Sequence, residues 1–200
     1  MNTTDYSNII LEIEEAVCTR FAQLFSKGVG VRARTGCSIE EFVCGQLGVS
    51  QEYLEERIQT IFLDGKPVDD HLTARFGDGS MLALSAAMPG LVGAIMRRGG
   101  YYSAMRQSIT HTADSGEVCA LDGLVTVKLF NLTARELGPV LLKNGILVEA
   151  DDQLDVFTRF ADSFRKGCTV VRFDCDPIDS NALVELLEKK DRIVLQVEII

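Results

Sequence analysis

Three Asp-Gly pairs, Asp64-Gly65, Asp78-Gly79 and Asp122-Gly123, each stand beside a short run of alternating or β-branched apolar residues. An Asp-Gly pair supplies the positive φ of a tight reversal at little steric cost, so the flanking strands fold back on themselves. IQTIFL-DG-KPVDD (58–70) therefore reads as a strand, a turn and a short return strand. Asp78-Gly79 turns the chain into MLALSA (81–86), with Met81, Ala83 and Ser85 on one side, and EVCAL-DG-LVTVKLF (117–130) repeats the hairpin signal.

Helical signals alternate with these strands. In SNIILEIEEAVCTRFAQLFSKG, apolar residues at Ile9, Ile13, Val17, Phe21 and Leu24 have helical spacing and run up to Gly28. Ile9, Leu11 and Ile13 also alternate, but over a shorter stretch, so a helix is expected. VGVRAR (29–34) follows as a strand. Ser38-Ile39-Glu40-Glu41 then matches the capping box, and Ile39, Phe42, Val43 and Leu47 share one face of the helix that Gly48 ends. Beyond Pro89-Gly90, helical segments are expected on either side of Gly99-Gly100. The polar stretch HTADSGE (111–117) is the expected domain boundary. After it come ELGPVLLKNG (helix), GILVEA (strand), DDQLDVFTRFADSF (helix), CTVVRFD (strand), SNALVELLEKK (helix) and RIVLQVEII (strand). Such alternation favours a partly parallel sheet. No internal repeat or low-complexity tract is evident.

The block from Val29 to Gly90 resembles the β-grasp sulfur carriers, namely the small subunit of molybdopterin synthase and the thiamine-pathway sulfur carrier protein. The resemblance rests on VGVRAR, on TGCSIEEFVCGQLGV as the grasping helix, on IFLDGKPVDD, and on GDGSMLALSAAMPG as the strand leading toward the family's tail. It covers about a third of the chain and consists of order and pattern. It implies a β-grasp (ubiquitin-like) unit, and together with the strand–helix alternation that follows, the expected fold is α+β: an N-terminal β-grasp unit over 1–110 and a small α/β unit with a mixed or partly parallel sheet over 111–200. Those carriers end in a free Gly-Gly that is adenylated and thiocarboxylated. Here the adjacent pair, Gly99-Gly100, is internal, so a carrier role requires cleavage after Gly100.

Bulk properties narrow the function. The net charge of −9 argues against a nucleic-acid-binding face. MNTTDYSNII shows no basic segment ahead of an apolar core, and no apolar run approaches a membrane span, so a cytoplasmic protein with no membrane partner is expected. The six cysteines include no C-x-x-C pair, which fits reduced thiols packed as small apolar side chains.

Two constellations could carry chemistry. Gly90, Gly93, Gly99 and Gly100 with Arg97 and Arg98 form either an anion site or a glycine-permitted turn with close helix packing and a solvated arginine pair. Tyr101, Tyr102, Met105 and Arg106 beside them are residue types enriched at interfaces. Asp151, Asp174 and Asp176 would provide Mg²⁺ ligands if GILVEA and CTVVRF were parallel neighbours, or they simply cap and turn the chain. No nucleophile has a histidine partner at a recognisable spacing, and no cofactor is implied beyond that Mg²⁺ alternative. The expected role is a non-catalytic binding or adaptor protein with a protein partner or self-association. The alternatives are the cleaved carrier precursor and a Mg²⁺-dependent enzyme or sensor.

Overall fold

A computed structural model describes residues 6–111 and 121–200. Its strands are β1 (Ser7–Ile13), β2 (Val29–Arg34), β3 (Thr60–Leu63), β4 (Lys66–Pro67), β5 (Met81–Ser85), β6 (Asp122–Phe130), β7 (Ile146–Glu149), β8 (Cys168–Phe173), β9 (Asp176–Pro177) and β10 (Arg192–Ile199). The fold is mixed α+β. The chain divides into two compact units, one formed by 30–137 and the other by 1–29 with 138–200. This differs from a boundary at 110/111, because β6 lies beyond that point and pairs in parallel with β5. Most of the polar stretch 111–117 lies outside the described residues. Among the described residues, no helix is long and apolar enough to cross a membrane.

In the 30–137 unit the strands lie in the order β4-β3-β5-β6-β2. β3 runs antiparallel to both β4 and β5, and β5 runs parallel to β6. The Thr35 N–H at the end of β2 donates to the Leu121 carbonyl just before β6, so those two strands run oppositely. Two expected turns form as read, with positive φ at Asp64, Gly65 and Gly79. Asp122-Gly123 is not a turn, for both residues lie within β6. Gly123 is required there for closeness, since a Cβ would meet the Asp78 Oδ1 and Thr35 Cγ2 atoms at 2.8 Å.

The capping box forms with both reciprocal bonds. Glu41 N–H donates to Ser38 Oγ at 3.1 Å, and Ser38 N–H donates to Glu41 Oε2 at 2.7 Å. The helix then widens into a π-turn over Glu41–Gln46, with Leu47 N–H reaching the Phe42 carbonyl five residues back. The Ser38 N–H holds the Glu41 carboxyl below its usual range, with the Ser38 hydroxyl and Arg75 helping against some desolvation. A depressed folded-state pKa stabilises above the unfolded carboxylate's pKa and is lost as pH falls through the folded value. Glu41→Gln, which keeps a capping side chain, should therefore flatten the loss of urea resistance below about pH 5. An unchanged acid limb would contradict this role.

In the other unit the order is β7-β10-β1-β8-β9. β1 is parallel to β10 and antiparallel to β8, while β10 is antiparallel to β7. The sheet is thus mixed, and its parallel pair comes from the N-terminal strand. Residues 7–13 are a strand and not the start of a helix. Ile9, Leu11 and Ile13 are fully buried in alternation, and three β-branched isoleucines suit a pleated strand better than a helix. Helical structure begins only at Glu15, and Thr19–Phe21 and Ala22–Lys27 continue it. In the helix Ala150–Arg159 the buried positions are Ala150, Gln153, Val156 and Phe157, so Gln153 takes a core place while Leu154 is only half-buried.

The two units share a repeat that shows first in hydrogen bonds. Ile61-Phe62-Leu63-Asp64-Gly65-Lys66-Pro67-Val68-Asp69 and Val171-Arg172-Phe173-Asp174-Cys175-Asp176-Pro177-Ile178-Asp179 align without a gap. Phe62 pairs with Pro67 as Arg172 does with Pro177. Val68 N–H reaches the Ile61 carbonyl at 2.9 Å, and Ile178 N–H reaches the Val171 carbonyl at 3.0 Å. Each turn aspartate also anchors a central strand: Asp64 Oδ1 accepts from Met81 N–H at 2.7 Å, and Asp174 Oδ1 accepts from Asn8 N–H at 2.6 Å. In register, Leu82 beside Val127 corresponds to Ile9 beside Leu195, and all four are fully buried.

The repeat exposes one strained residue. Cys175 takes the place of Gly65 with φ 77°, a conformation that costs a side chain about 1–2 kcal/mol. After the entropy that glycine adds to the unfolded chain, Cys175→Gly should stabilise by about 0.5–1 kcal/mol. A lower urea midpoint in that variant would contradict the assignment.

Candidate functional site

The segment from Ala87 to His111 leaves the end of β5, forms the helix Gly90–Met96, turns at 97–102, and continues as a 3₁₀ helix over Ser103–Ile109. Two arginines fix it to the 30–137 unit. Arg106 is 2% exposed, and its whole donor fork is engaged. Nη1 and Nη2 form a bidentate pair with Asp69 at 3.0 and 2.6 Å, and Nη1 also donates to Thr110 Oγ1. Nε donates to the Ile95 carbonyl at 2.8 Å, and Nη2 reaches the Arg97 carbonyl at 3.3 Å. One side chain thus ties the helix, the turn and the 3₁₀ helix to the residue after the β4 hairpin.

Arg98 makes a second tie. Its guanidinium donates to the carbonyls of Leu54 and Glu55, to Glu55 Oε2 at 3.0 Å, and to His71 Nδ1 at 2.8 Å. A guanidinium has no acceptor, so His71 Nδ1 accepts and the neutral ring carries its proton on Nε2. That Nε2 lies 2.9 Å from Glu55 Oε1. Main-chain bonds complete the attachment: Arg98 N–H to the Gln59 carbonyl, Gly99 N–H to Asp69 Oδ1, and His111 N–H to the Pro67 carbonyl. Beside these contacts the Thr73 hydroxyl holds the Asp70 carboxyl below its usual range, against some desolvation, and Asp70 also accepts the Leu72 and Thr73 N–H groups.

The glycines have local reasons. Gly90 and Gly99 adopt positive φ, at 75° and 61°. Gly93 is buried so close to the preceding loop that a Cβ would lie 1.8 Å from the Met88 carbonyl oxygen. Gly100 N–H is bonded to the Arg97 carbonyl, and its own carbonyl accepts from Ser103 N–H. Gly99-Gly100 is a hydrogen-bonded turn.

A pocket of about 370 Å³ opens between this segment and the start of β3. Gly90, Gly93, Arg97, Gly100, Tyr101 and Tyr102 all line it, so the structure gathers six of the nine residues that the sequence singles out as a binding set. The remaining three are elsewhere in role: Arg98 and Arg106 are anchors, and Gly99 is a turn residue. Sequence reasoning missed Gln59 and Thr60 on the pocket wall, and Asp69, His71 and Glu55 as the anchors' partners. The only hint was the acidic pair Asp69-Asp70 closing the hairpin motif.

Asp151, Asp174 and Asp176 are not brought together. β7 and β8 are separated by β10 and β1, which puts the strand ends roughly 14 Å apart at normal strand spacing. Asp151 lies in the first turn of the helix that starts at Ala150, Asp174 is spent on the Asn8 N–H, and Asp176 is an exposed residue of the β8–β9 hairpin. Among the described residues, no three His, Cys, Asp or Glu side chains are grouped to hold a metal ion. Burial pushes the Cys18 thiol up to about 11, with Glu15 adding to the shift, and also raises those of Cys37, Cys44 and Cys168. None of these is an activated thiolate.

Comparison with protein-family models, with curated proteins and with solved structures returned no match.

The close approach at Gly93 makes a direct test of the packing. Gly93→Ala should destabilise by about 1–3 kcal/mol, the usual range for overpacking a tight site. Gly45→Ala, where a Cβ meets nothing within 4 Å, should be neutral or stabilising. Equal melting temperatures for the two variants would contradict the contact.

Proposed function

We propose that this chain is a non-catalytic binding or adaptor protein whose contact surface is the 88–109 segment. The observation that carries the reading is the combination of exposed apolar side chains with a rigid mount. Leu91, Tyr101 and Met105 are 66%, 93% and 69% exposed, and Val92 and Ile109 are also exposed. They ride on a segment tied down by the buried Arg106 and its bidentate partner Asp69. Large apolar side chains kept in water on an ordered support suit recognition of another protein surface. Tyr101 and Tyr102 stack edge to face with centroids 5.1 Å apart, an arrangement that presents aromatic area at low entropic cost.

The scaffold reading that goes with it is a β-grasp-like module over 30–137. Its support is the helical stretch between β2 and β3, the hairpin β3–β4, and the central parallel pair β5–β6. On this reading the parallel partner of β5 is Asp122–Phe130, which lies beyond the 88–109 segment in the chain. With Gly99-Gly100 bonded inside the segment, the glycine pair serves the platform's shape.

The test is the double variant Leu91→Ser, Met105→Ser. The wild-type chain should self-associate in sedimentation at rising concentration, or copurify at fixed stoichiometry with one protein from its native host. The variant should lose that association while melting within a few degrees of wild type, as exposed sites allow. A wild-type chain that stays monomeric and brings down nothing the variant does not would overturn the reading.

A further inference from the structure

We propose that the pocket beneath Tyr101 and Tyr102 binds a small carboxylate carried on a flat apolar body. This goes beyond the partner-binding reading and does not depend on it. The first observation is a buried hydroxyl left unused. Thr60 is 1% exposed and lines the pocket, yet its Oγ1 has no hydrogen-bond partner among the described residues. Its strand neighbours Ile61 and Leu63 are buried in the core, so β3 alternation places Thr60 on the other face. An unpaired buried hydroxyl costs about 1–3 kcal/mol, a burden that a ligand acceptor would relieve.

The second observation is charge. Arg98 and Arg106 are both paired with carboxylates, whereas Arg97 on the pocket wall forms no ion pair among the described residues. One Nη2 hydrogen of Arg97 is spent on Gln59 Oε1, which leaves the rest of the fork and the Gln59 amide N–H groups as donors. Among the described residues no acid lines the pocket, although the chain as a whole carries a net charge of −9. Thr60, Gln59 and Arg97 are therefore a donor-rich set suited to an anion that accepts several hydrogen bonds.

The remaining walls select the body of the ligand. Ala87, Met88, Ala94, Tyr101 and Tyr102 are apolar or aromatic, and Gly93 lets the helix pack directly on the Met88 backbone, which fixes that wall. A pocket of about 370 Å³ falls at the lower end of ligand sites, which fits a one- or two-ring molecule. Two aromatic faces and a thioether favour a planar ring system.

The probe is 2-naphthoate, with its neutral carboxamide as the control, titrated into the intact chain and followed by amide chemical shifts and calorimetry. Naphthoate should bind saturably, at least roughly tenfold tighter than the carboxamide, the difference expected of a charge-assisted hydrogen bond. Shifts should centre on Thr60, Gly93, Arg97 and Tyr101. Arg97→Gln should weaken naphthoate binding by about tenfold and leave the carboxamide unchanged. Thr60→Val replaces the hydroxyl with a methyl group of similar size. It should weaken binding roughly threefold and also raise the melting temperature of the free protein, because the unpaired group is gone. A structural role for Thr60 would instead lower that temperature. Equal affinity for acid and amide, no saturable binding up to about 5 mM, or full binding by Arg97→Gln would each overturn the proposal.

Discussion

The candidate site depends on one ion pair, between the buried Arg106 and the partly exposed Asp69. Arg106 uses every N–H of its guanidinium, and all of its bonds reach either Asp69 or the backbone and hydroxyl of its own segment. Burying such a pair is no guarantee of net stability, since desolvation opposes the attraction. Its value here is geometric. A planar fork with five donors admits a single arrangement of its acceptors, so the helix Gly90–Met96, the 97–102 turn and the 3₁₀ helix are fixed together. Removing Asp69 would leave the buried Arg106 charge uncompensated, which typically costs about 3–5 kcal/mol, whereas Asp69 itself is partly exposed. The exposed apolar side chains and the pocket both inherit their positions from this tie.

The frame that Asp69 belongs to occurs twice. The Asp64 and Asp174 turns each close a strand hairpin and each hold the N–H of a neighbouring central strand. The central strands then pair in parallel in both units, β5 with β6 and β1 with β10. In the 30–137 unit Asp69, two residues after β4, receives Arg106 from the segment between β5 and β6.

Local chemistry in the sequence was legible where one short motif decides the outcome. Ser38 and Glu41 form the expected capping box, Asp64-Gly65 makes the expected turn, and the strands and helices after Gly138 fall close to their apolar patterns. Residues 7–13 misled because an isoleucine-rich strand leading straight into a helix shows both periodicities at once. The division at 29/30 and 137/138 was not legible, because β6 and β1 find partners far from their own stretches of chain. For the site, glycines and tyrosines stood out by type, while the roles of Arg98 and Arg106 depended on carboxylates 43 and 37 residues away. The hairpin repeat was open to direct alignment, yet only its shared Asp, Pro and Asp positions are identical. Matching bonds make it plain.

The central claim is that 88–110 is a fixed platform and not a mobile tail, and amide hydrogen exchange measures this most directly. The N–H groups of Arg98, Gly99, Gly100, Arg106 and Thr110 should be read at neutral pH in the wild-type chain and in Asp69→Asn. The account predicts strong protection in the wild type for Arg98, Gly99 and Thr110, whose N–H groups bond to the Gln59 carbonyl, to Asp69 and to the Arg106 carbonyl. It predicts that Asp69→Asn loses protection across this segment while Leu82 and Val127 in the sheet keep theirs. Exchange at the rate of an unfolded chain throughout 98–110 of the wild type would contradict it.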